Sequence, residues 1–403
     1  MWQSAWAQEI RITLNDGVNH YNPAISGDKI VWNDDRSGNG DIYLYDLTTG
    51  EETRITTNVE SQRDPSISGD KIIWKDLRDG FFGSIYMYDL TTKTEARITG
   101  GFAVPFYPKI SGNIIVWEDR REVGNPDIYM HDLTTGTEKK VSTHASKKSK
   151  PAISGNIIVW EDDRNGNSNI YMHDLTTGTE KKVSTHTSRQ IVPAISGNII
   201  VWEDYRGGNW DLYMYDLSTN TEKKVTTDTY EKKNPSISGN IIIWDDNRHG
   251  SRDIYMYDLV RQKEKRLTHG AVSWNSRLSG NRIVWSDNRT GTYQVYLVYT
   301  DNQPIYRFYS EEFQAHFYTI SEAEKNHIIA TYPPRTWNYE GVAYNAIRDS
   351  LPGMAPIHRF YSLTNRKHFY TISEAEKNEL INNKYPEAKF NYEGVAWYAH
   401  KTP

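Results

Sequence analysis

Short apolar runs recur along most of the chain, and each ends on a tryptophan. Trp32, Trp74, Trp117, Trp160, Trp202, Trp244 and Trp285 follow one another at intervals of 42, 43, 43, 42, 42 and 41 residues. Around each the same polar and apolar positions return, as in Pro151-Ala-Ile-Ser-Gly-Asn-Ile-Ile-Val-Trp160, then Asn169-Ile-Tyr-Met-His-Asp-Leu175, then Glu180-Lys-Lys-Val-Ser-Thr185. The unit predicts four short antiparallel strands. The first is the Ile-Ser-Gly stretch (Ile25 to Gly27 in the first copy), and the second runs into the Trp. The third is Asp41-Ile-Tyr-Leu-Tyr-Asp46 and the fourth Glu51-Glu-Thr-Arg-Ile-Thr56. A third strand that is apolar or aromatic on both faces belongs to a sheet held between two neighbours. Charges and repeated lysines on the fourth suit an edge that must not pair with another chain. A period of roughly 40 to 45 residues carrying four strand signals is the mark of a β-propeller blade.

Six units are complete. The seventh runs from Leu278 through Gln294-Val-Tyr-Leu-Val-Tyr299 and then changes composition without a fourth strand. Glu9-Ile-Arg-Ile-Thr13 matches the fourth-strand text Thr53-Arg-Ile-Thr56 and Ala96-Arg-Ile-Thr99, so an N-terminal strand is expected to complete the last sheet and shut the ring. The expected fold is mainly β: a seven-bladed propeller over residues 8–300 closed by that strand, with a small α+β repeat domain over 304–399. Asp34-Asp-Arg36-Ser-Gly38 with Asp41-Ile-Tyr43, and Asp162-Asp-Arg164-Asn-Gly166 with Asn169-Ile-Tyr171, resemble the TolB-like propeller repeat. That resemblance covers about residues 8 to 300 and implies the fold. It also implies protein or ligand recognition on exported scaffolds, some of which carry hydrolase domains with no counterpart here.

In a four-strand meander, the turns between strands one and two and between three and four emerge on one rim. Here they are monotonous: Ser-Gly-Asn or Ser-Gly-Asp, and Leu-Thr-Thr-Gly-Thr or close relatives. The other rim, built from the second-to-third turns and the crossings between units, differs from copy to copy. It carries Phe81, Phe82, Phe102, Phe106, Tyr107, Tyr205, Trp210, Tyr230, Trp274 and Tyr293. Variable loops on a repeated scaffold are where recognition usually sits, and aromatic faces stack on sugars and apolar side chains. The alternative is that Phe81, Phe82 and Phe106 pack between neighbouring units.

Each Trp is followed two residues on by Asp and four on by Arg, from Asp34 with Arg36 to Asp287 with Arg289. A ring of seven carboxylates invites a metal. An acid that always travels with its own base reads instead as an ion-paired structural element. Asp162 to Asn167 lacks the alternating acids and terminal glutamate of a calcium loop and reads as a hairpin turn. His144, His186 and His269 lie on different units without acidic ligand spacing and read as surface histidines. No metal or cofactor is expected, and no phosphate loop, G-x-S-x-G elbow or H-E-x-x-H segment occurs.

Charge narrows the partners further. With 47 basic and 52 acidic residues the net charge is −5, too mild for the electrostatic grip nucleic acid requires. No cysteine is present, so disulfides and thiolate chemistry are excluded, and no apolar stretch reaches the length of a membrane span. Ala5 and Ala7 before Gln8 fit a signal-peptidase site, so residues 1–7 are expected to be a signal-peptide remnant or tail of an exported protein.

After Thr300-Asp-Asn-Gln-Pro304, read as a linker, a second repeat begins. Ile305-Tyr-Arg-Phe-Tyr-Ser310 and His316-Phe-Tyr-Thr-Ile-Ser-Glu-Ala-Glu-Lys-Asn326 return 52 residues later, and Asn338-Tyr-Glu-Gly-Val-Ala343 returns 53 later. Each copy predicts two strands, a helix capped by Ser321 with Glu324 or Ser373 with Glu376, and a closing strand. Units this short must pack together. The text resembles a repeat of unknown function in exported bacterial proteins, which implies location more than chemistry. His316, Tyr318, Glu340, His368, Tyr370 and Glu393 form a twofold polar and aromatic set that would suit a sugar, or equally a small satisfied core.

The expected function is an exported, non-enzymatic recognition or scaffold protein that binds a polysaccharide or cell-surface protein. Two rivals stand beside it: a structural subunit of a self-associating surface layer or filament, and a polysaccharide-cleaving lyase or glycosidase.

Overall fold

The computed structural model describes residues 9–122, 124–269, 273–300, 302–347, 354–382 and 387–400. The expected signal remnant at 1–7, and Ala271 and Val272 of one variable loop, lie outside the described residues. The chain divides into two compact units, one holding most of residues 10–297 and the other residues 298–403.

The larger unit is a propeller of seven four-stranded antiparallel sheets. The second strand of each, such as Lys29–Asp34 or Ile157–Asp162, is almost wholly buried. The third strands match the expected residues, as at Asp41–Asp46. The fourth are short and mostly exposed, as at Thr137–Lys140. Apolar side chains of one sheet meet those of the next. Val31, Ile42 and Leu44 of the first sheet pack on Ile67, Ile72, Trp74 and Tyr86 of the second, and Val201, Leu212 and Met214 pack on Ile237, Trp244 and Tyr255. All seven tryptophans are fully buried in these layers.

The seventh sheet takes its outer strand from the start of the chain. Ile10 pairs with Leu297 and Arg11 with Tyr296. Thr13 then copies what Thr56 does in the first sheet. Its Oγ1 accepts from the Val295 amide at 3.0 Å, as Thr56 Oγ1 accepts from Ile42 at 2.9 Å, and it donates to Gln294 Oε1 at 2.8 Å. On the monotonous rim every Ser-Gly turn ties to the preceding sheet: a glycine amide donates to the serine Oγ of the previous copy at 2.9–3.0 Å. The series runs from Ser26 with Gly69 to Ser279 with Gly27, and so returns to its origin. These glycines stand at φ of +54 to +58°, where an L side chain is strained.

The first strands correct the sequence reading. They are seven residues long, from His20–Ser26 to Ser273–Ser279, and each begins about five residues before Ile-Ser-Gly, with the glycine outside in the turn. A bulge in each hides this extension, because one residue takes positive φ: Asn22, Asp64, Tyr107, Lys150, Val192, Asn234 and Asn275, at 50–54°. Proline follows it in six copies, which reads as a break. An innermost strand has no ladder partner on one side, so proline is tolerated there and the bulge turns the backbone.

The second unit is one six-stranded sheet with two helices. Asn302–Ser310, Ala315–Thr319 and Asn338–Ile347 form one half, and Met354–Ser362, Lys367–Thr371 and Phe390–His400 the other. The halves join where Ile347 pairs with Tyr398. Helices α1 (Glu322–Thr331) and α2 (Glu374–Ile381) start at the expected caps: Ser321 Oγ accepts from the Glu324 amide at 3.1 Å and Ser373 Oγ from Glu376 at 3.2 Å. The expected linker is shorter than its composition indicates. Asn302 to Pro304 already belong to a strand, paired with Asn345 to Ile347. No helix among the described residues is long and apolar enough to cross a membrane.

Candidate functional site

The Trp-Asp-Arg text builds one knot seven times. Each Trp Nε1 donates to the Asp two residues on, at 2.7–3.2 Å. The other carboxylate oxygen accepts the backbone amide of the Arg, at 2.8–3.0 Å. The guanidinium returns to the same carboxylate at 2.5–2.7 Å. It also lies 3.8–4.6 Å over the tyrosine ring of the third strand. Burial alone would raise the carboxyls of Asp34, Asp119, Asp162, Asp204 and Asp246. The hydrogen bonds from Arg and Trp, joined at Asp34 by His20, hold all five below the ordinary range. These acids are committed to the fold. Among the described residues, no three His, Cys, Asp or Glu side chains are grouped to hold a metal ion. His144 and His186 are exposed, and each uses Nδ1 to accept the amide of the serine two residues on.

On the variable rim the aromatics gather in local pairs. Phe81 meets Phe82 edge-on at 5.5 Å, Phe106 meets Tyr107 at 6.4 Å, and Tyr205 meets Trp210 at 5.1 Å. Trp274 and Tyr293 line one groove of about 450 Å³ with Tyr21 and Asn275. Phe81 and Phe102 are 90% and 92% exposed, which for side chains of this size is unusual on a soluble surface. Phe82, Tyr107, Tyr205, Tyr230 and Trp274 are exposed as well. Phe106 differs. Lys75 Nζ sits 3.9 Å from its ring centre and the Arg120 guanidinium 4.2 Å, so it packs among neighbours as the alternative reading expected. Trp210 is half-buried under Lys233 at 4.0 Å, and Arg252 covers Trp274 at 4.1 Å.

The sequence reading missed the axis of the ring. The first strands of all seven sheets surround it, and two cavities of about 300 and 320 Å³ lie between them. Two residues past each positive-φ position, a side chain lines these cavities: Ala24, Ser66, Lys109, Ala152, Ala194, Ser236 and Arg277. Five are small and two are cations. Around the mouth, Asn275 Nδ2 donates to Asn22 Oδ1 at 2.5 Å and Asn22 Nδ2 to Asp64 Oδ1 at 3.5 Å. Behind the wall, Asp245 is buried, accepts from Asn234 Nδ2 at 2.9 Å, and is pushed up by that burial to about 7. The signal was present in the sequence, because aligning the copies at the residue before Ile-Ser-Gly exposes Lys109 and Arg277 as the outliers.

In the second unit the expected set is brought together within each half and extended by an arginine. Glu340 lies 2.8 Å from Arg307 Nε and 3.3 Å from His316 Nε2, and Glu393 lies 2.9 Å from Arg359 Nε and 3.2 Å from His368 Nε2. Burial and the Arg359 charge push His368 down to about 4. Tyr370 joins the halves: its hydroxyl donates to the Tyr318 carbonyl at 2.7 Å and accepts the Tyr318 amide at 3.1 Å. Arg359 also donates to Glu324 at 3.2 Å, beside a cavity of about 350 Å³. Its charges are largely spent on one another.

A family model described as a domain of unknown function, DUF5648, matches residues 260–400, reaching back from the second unit into the last two sheets of the propeller. No curated protein matches the chain. Among solved structures, it is similar to an oligogalacturonate lyase from Vibrio parahaemolyticus, at 11% identity and TM-score 0.57 over 73% of this chain and 93% of that one. It is also similar to the β-propeller domain of the trilobed protease from Pyrococcus furiosus, at 15% identity and TM-score 0.57 over 71% and 94%. TolB from Agrobacterium tumefaciens aligns at 18% identity and TM-score 0.46 over 64% and 97%. For the first two, at 11% and 15% identity, the likeness is one of fold, shared by proteins named for different activities.

Proposed function

We propose that the protein is an exported, non-enzymatic recognition protein that binds a polysaccharide or protein partner at the cell surface through the variable rim of its propeller. The carrying observation is the concentration of exposed aromatic side chains on loops that differ between otherwise repeated sheets. The repeated text satisfies the fold without them, and large apolar rings kept in water cost solubility unless they are covered in use. Replacing Trp210, Tyr230 and Trp274 together by Ala tests this. Retention on isolated cell-wall material should fall by at least about tenfold, as loss of aromatic anchors does elsewhere. Unchanged retention removes the rim from consideration.

A further inference from the structure

Lys109 and Arg277 stand where the other five sheets place alanine or serine, and both line the two cavities at the ring axis. They come from sheets three and seven, and closure of the ring brings them to one space. Most arginines of this unit are spent on a carboxylate, as in all seven knots. These two are not. Lys109 makes no hydrogen bond or ion pair among the described residues, and Arg277 donates Nη1 to the Ser276 carbonyl at 2.8 Å with no carboxylate within ion-pair distance. Both are half-buried. Burial, with repulsion from Arg277, pushes the Lys109 ammonium down to about 8 against the pull of Asp64, and burial lowers Arg277 against the pull of Asp245.

A fold that needed only a filled channel would keep the small residues of the other copies. We propose that the channel is an anion site in which Lys109 and Arg277 clamp the carboxylate group of an acidic ligand. A guanidinium matches a planar carboxylate with two donors, and an ammonium supplies a point charge beside it. Asp64, which lines the same cavity and pulls on Lys109, limits the net positive charge, which favours a singly charged carboxylate over a phosphate dianion. Tyr107 lines both cavities and offers a ring face next to the charge, while Asn22 and Asn275 offer amides. Asn22 and Asn275 border both this channel and the groove of Trp274, but Lys109 and Arg277 line the channel and not that groove, so substituting them tests the channel while Trp210, Tyr230 and Trp274 stay in place.

The test is a ligand-observed NMR titration of the full chain with sodium glucuronate, N-acetylalanine, glucose and inorganic phosphate. Both carboxylates, or one of them, should bind, and glucose should not. Stronger binding of glucuronate assigns the group to an acidic sugar, and stronger binding of N-acetylalanine assigns it to a peptide terminus. Lys109→Ala and Arg277→Ser copy residues already present at the equivalent positions, and each should weaken binding roughly tenfold or more. Lys109→Arg keeps the charge and should retain it. Absence of binding by either carboxylate overturns the proposal. So does binding that survives in the Lys109→Ala, Arg277→Ser double variant, or phosphate binding more tightly than both carboxylates.

Discussion

The knot behind each tryptophan and the row of side chains around the axis are both sampled seven times, and they behave in opposite ways. At the knot, Trp, Asp and Arg recur in every copy and make the same contacts to within a few tenths of an ångström. At the axis the copies read Ala, Ser, Lys, Ala, Ala, Ser and Arg on nearly the same backbone. Where a buried charge must be neutralised within its own sheet, one solution serves and is repeated. Where the backbone is already satisfied, the side chain is left open to other demands.

The sharpest break in this comparison is a knot mutation. Asp204→Ala leaves the buried Trp202 indole and the Arg206 backbone amide without their acceptor and the Arg206 guanidinium with Glu222 alone, and should cost about 2–3 kcal/mol in urea unfolding. A loss under 1 kcal/mol would show that the repetition is not a stability requirement.

Asp245→Asn probes the boundary between the two regions through pH. The Asp245 carboxyl titrates near 7 when folded and near 3.8 when unfolded, so between these values the folded state holds the extra proton. Stability from this group is therefore full below the lower value and declines as pH rises toward 7, with a slope approaching about 1.4 kcal/mol per pH unit. The Asn variant should gain on the parent in melting temperature at pH 8 relative to pH 5. An equal difference at both pH values contradicts the assignment.

Lys109→Ala should change stability by less than about 1 kcal/mol, and in the favourable direction, because it removes a half-buried cation that has no partner. A marked destabilisation would move Lys109 from the ligand side of the comparison to the structural side. Smallest of all, Phe81→Ser at a 90% exposed position should stay within about 0.5 kcal/mol in the same assay.

The same contrast explains what could be read in the linear text. Period, strand order, the Thr13 clasp and both serine caps follow from local patterns, each set by contacts that its own residues dictate. The full length of the first strands did not, because Pro23 and its counterparts look like breaks until an inner edge and a bulge are in view. The rim aromatics were identifiable by their variation, yet their surroundings were not: the cations over Phe106 come from elsewhere in the chain. Lys109 and Arg277 are 168 positions apart in sequence, and ring closure alone makes them neighbours of one cavity.

The clasp also orders events in time. Six sheets can assemble from hairpins whose strands adjoin in the chain, but Ile10 and Arg11 have no partner until Tyr296 and Leu297 have been synthesised. The earliest described segment is thus the last to dock, and the slowest step of assembly should be this long-range pairing. A protease that cut near Asp16 would sever the chain link between the two-residue strand and the first sheet and leave that seam to sideways contacts such as Gly27 with Ser279 and Asp28 with Arg282, so this short segment works as a latch across the ring.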